Sequence, residues 1–342
     1  MRIGILTGGG DAPGLNGIIE AASRVLLSHD CEVIGICDGF EGIFENRNKS
    51  INTSNIVGLH AEAGTFLGTS NKSRVEGREA EFSKKFQALK LDGLIVAGGD
   101  GTFSALSKIT PSIPVIGVPK TIDNDLPGTE ITFGYDTACA VVADAVDALR
   151  ATAAAHRRIM IVETMGRTAG WIALGGGLAS LADAILIPER PYSNEKFLNF
   201  LNEKKKSGQR GLVLVVSESA HSENEKPIVA FQVKDSVQRE RFGGIAEHLA
   251  RWIEKQISWE ARHVVLGHLQ RSRAPTTTDR FLTAALGVKA AKLALESRWN
   301  SAVVYREGLV RSVALSEIQG APRIITTDHR WVRLAQSLEI FI

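Results

Sequence analysis

The segment RIGILTGGGDAPGLN, residues Arg2–Asn16, indicates the architecture of this chain. Its apolar run is typical of a buried strand, and three glycines end that strand. The spacing of apolar residues that follows predicts a helix over Leu15–Leu27. Because a buried strand that turns directly into a helix begins a βαβ unit, the segment predicts a parallel sheet covered by helices on both faces.

Short apolar runs alternate with helical patterns along the rest of the chain. EVIGIC, GLIVAGG and PVIGVP follow as strands, and a helix is predicted over Tyr135–Thr152. RIMIVETM, AILIP, GLVLVVSE and HVVLG then form a second series, with helices over Asn194–Lys206 and Gly244–Lys255. A helix over Asp279–Leu295 precedes a hairpin beginning at SAVVYREG and a short final helix. We therefore predict two Rossmann-like three-layer α/β/α domains with mainly parallel sheets.

The composition excludes several classes of protein. The chain has 342 residues, of which 44% are hydrophobic and 23% charged, as in ordinary globular proteins. A net charge of +2 does not indicate a nucleic-acid or membrane partner. No apolar run reaches the roughly 18 residues that span a bilayer, and the N-terminus does not have the pattern of a signal peptide. Cys31, Cys37 and Cys139 lack metal-ligand spacing, so we expect a reducing, cytoplasmic location.

Two glycine-rich loops follow predicted strands, where ligands bind in doubly wound sheets. In Thr7–Asn16, one glycine would suffice for a tight turn, so three glycines and an aspartate favour a phosphate site at the helix N-terminus. Gly98–Thr102, GGDGT, would likewise admit a polyphosphate, and Asp100 could hold a magnesium ion that bridges phosphates. Both loops therefore predict nucleotide or pyrophosphate binding.

The third loop, Gly117–Gly128, has the sequence GVPKTIDNDLPG. Phosphoryl transfer needs a base, a metal and positive groups around the transferred phosphate. Asp123 could take a proton from a hydroxyl, and Asp125 could steady the metal or the base. Thr121 and Lys120 could contact phosphoryl oxygens. The alternative is an ordinary turn, since Asp and Asn bond their own backbone.

Together the three loops resemble, in order and spacing, those of the 6-phosphofructokinase family. RRIMIVETMGRTAGW resembles the sugar-phosphate segment of that family, VVSESA its substrate glutamate strand and ARHVVLGHLQR its last substrate segment. The resemblance covers roughly Arg2 to Leu295. It implies the phosphofructokinase fold, Mg²⁺ as cofactor and transfer of the γ-phosphoryl group of ATP to the 1-hydroxyl of fructose 6-phosphate. The product would be fructose 1,6-bisphosphate, an intermediate of glycolysis.

The resemblance also implies a division of labour between the domains. Residues 1–134 plus about 268–308 would bind the donor, and residues 135–267 plus about 309–342 would bind fructose 6-phosphate. The protein would be a homodimer or a homotetramer, because the family completes each active site with residues of a neighbouring subunit.

Catalytic roles are implied residue by residue. Asp123 would deprotonate the sugar 1-hydroxyl, with Thr121 and Asp125 on either side. Arg167 would stabilise charge on the phosphoryl group in flight, and Asp100 would coordinate magnesium.

The resemblance assigns the sugar phosphate to residues of three segments: Arg158, Met165, Gly166, Arg167, Glu218, Arg262, His268 and Arg271. Glu218 and Met165 would position the sugar, whereas His268 and Arg271 would bind its 6-phosphate. Arg158 and Arg262 would reach in from the neighbouring subunit. A cluster of arginines suits a phosphate group.

The donor phosphates are assigned to six residues: Gly10, Lys72, Gly99, Gly101, Thr102 and Lys120. In this family Gly101 leaves room for the α-phosphate of ATP, whereas an aspartate there is the pattern of pyrophosphate users. Lys120 is typical of pyrophosphate users but also occurs in ATP users that have the glycine. ATP is therefore the expected donor, and pyrophosphate is the alternative.

Two departures from the family pattern affect the donor and the regulation. Asn71 stands where an arginine is expected, and the neighbouring Lys72 lacks the bidentate fork of arginine. Arg24 and Arg150 match the effector site of the bacterial allosteric enzymes, but Glu20 replaces an expected arginine there. Because a carboxylate repels an anion, we expect weak or no regulation of that type.

Three other functions make different predictions for this sequence. A lipid or nucleotide kinase with a GGDGT loop would lack the arginine-rich sugar-phosphate segments that this chain has. A catalytically weak regulatory or sugar-phosphate-sensing homologue would have lost Asp123, Thr121 or Arg167, and all three are present. A related substrate such as sedoheptulose 7-phosphate stays open, because the sequence does not give the size of the pocket.

Overall fold

The computed structural model describes residues 1–70, 75–110, 112–233 and 240–342. In chain order, the strands are β1 Arg2–Thr7, β2 Glu32–Ile36, β3 Asn48–Ile51, β4 Gly93–Gly98, β5 Val115–Pro119, β6 Ile159–Thr164, β7 Ala184–Leu186, β8 Leu212–Ser217, β9 Val229–Gln232, β10 Glu240–Phe242, β11 Ala261–Val265, β12 Ser301–Arg306 and β13 Leu309–Ala314. The α-helices are α1 Leu15–Leu27, α2 Glu41–Phe44, α3 Thr53–Ile56, α4 Glu79–Ala88, α5 Asp100–Ile109, α6 Tyr135–His156, α7 Trp171–Ala179, α8 Asn194–Lys206, α9 Ile245–Ile257, α10 Thr277–Leu295 and α11 Arg330–Ser337.

The chain separates into two compact units, each built from three segments. Unit 1 comprises Met1–Ile122, Leu126–Thr137 and Arg271–Pro322, and unit 2 comprises Asp123–Asp125, Ala138–Gln270 and Arg323–Ile342. Relative to the division expected from the sequence, residues 309–322 fall in unit 1, because β13 pairs with β12 in its sheet. Residues 123–125 fall in unit 2. Which ligand each unit binds stays a prediction.

Unit 1 is built on a seven-stranded sheet with the order β13-β12-β5-β4-β1-β2-β3. The inner pairs are parallel, and only the edge strands β3 and β13 pair antiparallel to their neighbours. Side chains alternate between the two faces of a strand. Ile3 and Ile5 accordingly pack in the cluster that contains residues of α1 and α10, and Leu6 packs in the cluster that contains Phe82 and Phe103 of α4 and α5.

Unit 2 has a four-stranded parallel sheet with the order β11-β6-β8-β7, and β9 and β10 form a separate antiparallel pair. One face packs against α8 and α9, where Phe197 and Leu249 join Ile161 and Leu214. On the other face α7 lies against the sheet so closely that a Cβ at Gly177 would lie 2.7 Å from Ile185. Both units therefore have helices on two faces of a largely parallel sheet, which confirms the predicted fold class.

The predicted elements correspond closely to those observed. The helices over Leu15–Leu27 and Asn194–Lys206 have the predicted bounds, while α6 continues past Thr152 to His156 because the added residues are mostly alanine. Helix α4 begins at Glu79 and continues to Ala88. In the part of the chain that the structure describes, no helix has both the length and the apolar character needed to cross a membrane.

Candidate active site

The first two glycine loops of unit 1 meet at Thr102, whose side chain is buried. A Cβ at Gly8 would lie 2.8 Å from its hydroxyl oxygen, and a Cβ at Gly98 would overlap its side chain. These two glycines therefore make room for a threonine of the protein itself. The ligand phosphate that we inferred from the glycine runs is not needed to explain Gly8 or Gly98.

The start of helix α5 is open. Apart from its chain neighbours and the backbone of its own helix, no described residue has a heavy atom within 4 Å of a Cβ placed at Gly101, and Asp100 beside it is exposed. The backbone N–H groups of a first helical turn and its positive dipole end attract anions. Gly99, at the N-cap of α5, has extended backbone, and its carbonyl accepts the first helical bonds from Thr102 and Phe103. Packing does not require a glycine at position 101.

Asp100 suits a magnesium ion whose other ligands are phosphate oxygens of the bound donor and water. Among the described residues there is no group of three or more His, Cys, Asp or Glu side chains that could hold a metal. Magnesium commonly binds through one or two carboxylates plus phosphate oxygens and water. An exposed carboxylate next to an open helix start supplies that donor set.

Two predicted cations lie at the first glycine loop. Lys120 is buried at the end of β5, its Nζ donates a hydrogen bond to the carbonyl of Gly10, and its backbone N–H donates to Gly98 at 2.9 Å. Arg271 also reaches this loop, because a Cβ at Gly10 would lie 2.8 Å from its Nη1. The same Nη1 is 3.3 Å from Oδ1 of Asp11. The structure thus brings Lys120, predicted for the donor, beside Arg271, predicted for the sugar 6-phosphate.

Thr121 is the other predicted site residue of unit 1 in the third loop. Its carbonyl accepts a hydrogen bond of 2.6 Å from the hydroxyl of Thr132, which fixes the backbone just after β5. Lys72, predicted to contact the donor in place of an arginine, lies outside the described residues, as does Asn71.

In unit 2, Asp123 and Arg167 form an ion pair. Asp123 is 3% exposed, and its Oδ2 lies 3.5 Å from Nε of Arg167, whose side chain is 45% exposed. Arg167 has a φ of 55°, in the left-handed region, and Asn124 has a φ of 52°. Left-handed backbone in non-glycine residues often marks functional loops that their surroundings hold in place. The Arg167 carbonyl is held by the hydroxyl of Ser219.

Glu218 supports the same loop from the end of β8. Its Oε1 accepts hydrogen bonds from the backbone N–H groups of Gly166 at 3.1 Å and Arg167 at 2.7 Å. Burial raises the pKa of Glu218 to about 7, and the nearby carboxylate of Asp123 adds to this, although the two N–H groups partly offset it. Glu218 can therefore change protonation state near neutral pH.

The last predicted substrate segment is a short 3₁₀ helix, Gly267–Arg271. His268 is exposed on it, whereas Gln270 is fully buried and its Oε1 accepts a hydrogen bond of 2.9 Å from the backbone N–H of Met165. Sequence reasoning missed Gln270. Its place between His268 and Arg271 was the available signal, but only the fold brings it to Met165.

The two arginines expected to serve a neighbouring subunit lie together. Arg158 is 3.6 Å from Glu260, and Arg262 contacts Glu260 at 2.8 Å and Glu254 at 3.0 Å. Arg262 is exposed on β11, the edge strand of the four-stranded sheet. Their role at a second subunit stays a prediction.

The residues that resemble a bacterial effector site are engaged with other groups of the protein. Buried Glu20 accepts two hydrogen bonds from Arg24, at 3.0 and 2.7 Å, and one of 2.8 Å from Nδ1 of His60. Burial by itself would raise the pKa of Glu20, but the bonds from His60 and Arg24 outweigh it and lower the pKa. Arg150 donates to the carbonyls of Ser180 and Leu181. Both arginines thus already have acceptors, and weak regulation stays a prediction.

Comparisons with known proteins agree with the fold and these motifs. Residues 2–294 match the family described as Phosphofructokinase. An ATP-dependent 6-phosphofructokinase 2 of Clostridium perfringens is 38% identical and covers 99% of this chain and 97% of its own length. An ATP-dependent 6-phosphofructokinase of Chloroflexus aurantiacus is 40% identical with the same two coverages. A pyrophosphate-dependent phosphofructokinase of Marinobacter aquaeolei shares the fold, with a TM-score of 0.84 over 100% of this chain and 88% of its own at 22% identity.

The chain belongs to the phosphofructokinase family.

Proposed function

We propose that this protein is an ATP-dependent 6-phosphofructokinase, which transfers the γ-phosphoryl group of ATP to the 1-hydroxyl of fructose 6-phosphate. The observation that carries the proposal is the buried carboxylate of Asp123, 3.5 Å from Nε of Arg167 on a loop that Glu218 holds through two backbone N–H groups. A base, a cation and a sugar-binding carboxylate are the groups that phosphoryl transfer to a sugar hydroxyl needs.

In the proposed reaction Asp123 accepts the proton of the 1-hydroxyl. The hydroxyl oxygen forms a bond to the γ-phosphorus, and the bond between that phosphorus and the β,γ-bridging oxygen breaks, so ADP leaves with its electron pair. Arg167 is half exposed, so its guanidinium can donate to the transferred phosphoryl group while it remains near Asp123. Thr121 and Asp125 flank the base in sequence.

Magnesium bound at Asp100 would neutralise charge on the donor phosphates. The backbone N–H groups at the start of α5 and the cation Lys120 would supply further positive charge to the donor, whereas Arg271 would bind the 6-phosphate of the sugar. Gly10, Gly99 and Thr102 contribute backbone to these loops.

The donor proposal rests on the open position at Gly101 and on the names of the relatives. Because no described residue outside the start of α5 itself approaches a Cβ at Gly101, space for a bulky ligand explains the glycine better than packing does. Pyrophosphate is the second candidate, because Lys120 lies at the first glycine loop and could meet a terminal phosphate of either donor.

For the assembly we propose a homodimer or homotetramer in the cytoplasm. Arg158 and Arg262, grouped around Glu260 on an exposed sheet edge, would complete the sugar site of a neighbouring subunit. No role for nucleic acid or a membrane is proposed.

The deciding experiment compares donors with purified protein. Formation of fructose 1,6-bisphosphate is followed with fructose 6-phosphate, magnesium and either ATP or pyrophosphate. We expect turnover with ATP that disappears in Asp123→Asn. Turnover with pyrophosphate alone would overturn the donor assignment. No turnover with either donor, while a known phosphofructokinase works in the same buffer, would favour the sensing homologue or another sugar phosphate such as sedoheptulose 7-phosphate.

A further inference from the structure

One residue of the C-terminal segment holds the loop that carries the proposed base. The backbone N–H of Arg323 donates to the carbonyl of Asp125 at 2.6 Å, and its Nη2 donates to the carbonyl of Asn124 at 2.7 Å. Arg323 therefore binds two successive peptide groups directly after Asp123. Residues 123–125 and 323–342 belong to the same compact unit.

The backbone that Arg323 holds is one that needs support. Asn124 has a φ of 52°, and although asparagine tolerates the left-handed region better than most residues, that conformation still costs free energy. A guanidinium bound to the Asn124 carbonyl restricts rotation of the peptide plane that follows it. Since Asp123 precedes this residue, the direction of its carboxylate depends on the same turn.

Arg323 is itself held by contacts with the buried side chain of Trp171. Its guanidinium carbon lies 4.2 Å from the ring centre of Trp171, and its carbonyl accepts a hydrogen bond of 2.8 Å from the indole N–H. Trp171 is buried and begins helix α7, four positions after Arg167. The same tryptophan therefore connects Arg323 to the segment that carries the second member of the Asp123–Arg167 pair.

A partly buried carboxylate holds the two chain segments next to this contact. Glu189 accepts hydrogen bonds from the backbone N–H of Gly170, at 3.1 and 3.0 Å, and from that of Ile325 at 3.1 Å. Gly170 precedes Trp171, and Ile325 follows Arg323 by two residues. Glu189 thus holds both the backbone next to Trp171 and the backbone near Arg323.

We propose that Arg323 is a positioning residue, whose guanidinium stacks on Trp171 and holds the Asn124 carbonyl so that Asp123 is directed at the substrate hydroxyl. Lysine cannot replace it, because an ammonium group lacks the planar face that stacks on an indole while donating sideways. The backbone bond to Asp125 survives any substitution of the side chain. Its kinetic consequence rests on the function proposed above.

The test compares Arg323→Ala and Arg323→Lys with a matched control, Arg330→Ala. Arg330 is exposed in the same segment and lies over another tryptophan, Trp331, at 5.8 Å. We expect kcat to fall about 30-fold in both Arg323 variants, because a displaced base loses its alignment, while KM for fructose 6-phosphate stays within about threefold. Added guanidinium ion should restore part of kcat in Arg323→Ala and leave wild type and Arg330→Ala unimproved.

A readout independent of activity separates this inference from the proposed function. Hydrogen exchange of a peptide covering residues 118–128 should be faster in Arg323→Ala than in wild type and Arg330→Ala. Unchanged exchange in this peptide would overturn the inference whether or not the wild type turns over. In an active wild type, an unchanged kcat, a loss that guanidinium does not restore, or equal factors in kcat and KM would also overturn it. An inactive wild type with faster exchange would refute the proposed function and support the restraint on the loop.

Discussion

In unit 1 three of the six predicted donor residues are glycines, and two further glycines make room for one buried threonine. In unit 2, by contrast, the carboxylate of Glu218, predicted for the sugar, is held by backbone N–H groups. Gly8 and Gly98 make room for Thr102, while Gly101 has open space around it. In unit 2, Glu218 accepts from Gly166 and Arg167.

The comparison shows that the glycines of a glycine-rich motif can be present for two different reasons. A glycine can be required by the protein's own packing or by space for a ligand, and only the neighbouring atoms tell these apart. A carboxylate at a strand end shows its role more directly, because burying its charge needs compensating groups. The following experiments test this difference between the two units.

The largest effect is expected at the proposed base. Asp123→Asn keeps the shape of the side chain but removes its proton acceptor, so kcat should fall about 1,000-fold. Binding of fructose 6-phosphate, measured by calorimetry without donor, should persist. A variant that keeps more than about a tenth of wild-type kcat would show that Asp123 is not the base.

The second-largest effect is expected at Gly101, where we propose that the donor contacts the protein. Gly101→Asp places a negative side chain where we expect the α-phosphate, so kcat/KM for ATP should fall about 100-fold. Gly101→Ala is the matched control and should change it by no more than about threefold, since among the described residues a Cβ would meet no side chain. Equal losses in the two variants would mean that shape rather than charge matters, and no loss in either would place the nucleotide elsewhere.

The third test concerns Glu218, whose pKa burial raises to about 7. A carboxyl with a raised pKa in the folded state stabilises the fold below its ordinary pKa of 4.5, and this contribution is lost as pH rises through 7. Between pH 5 and pH 8 the wild type should therefore lose about 2 kcal/mol of unfolding free energy relative to Glu218→Gln.

Denaturant unfolding of both proteins at the two pH values gives this difference. Glu223→Gln removes an exposed carboxylate from the loop that follows the same strand and should keep the wild-type pH dependence. If Glu218→Gln keeps it as well, Glu218 does not titrate near neutral pH.

The smallest effect distinguishes the two kinds of glycine by stability. Gly98→Ala forces a Cβ into Thr102 and should lower the unfolding free energy by about 1–2 kcal/mol. Gly101→Ala should be neutral or slightly stabilising, because it lies in the first turn of α5 with space around it. Thermal unfolding of both variants measures the contrast, and similar melting temperatures would remove the packing explanation for Gly98.

Local sequence patterns were enough to predict the fold class and the exact bounds of two helices. Apolar runs that end in glycine and lead into helical periodicity are local signals, and α1 and α8 have the predicted bounds for that reason. Local motifs also identified Asp123, Arg167 and Glu218, which the structure brings together although they come from three separate segments.

The residues that support that site could be recognised only in the folded chain. Gln270 meets Met165, and Arg323 meets Asn124 across 199 positions of the chain, and no local pattern encodes such pairs. The same holds for Thr102 filling the space beside Gly8 and Gly98. These contacts depend on where distant segments are placed by the packing of whole helices and sheets, so they follow from the complete fold rather than from any single stretch of residues.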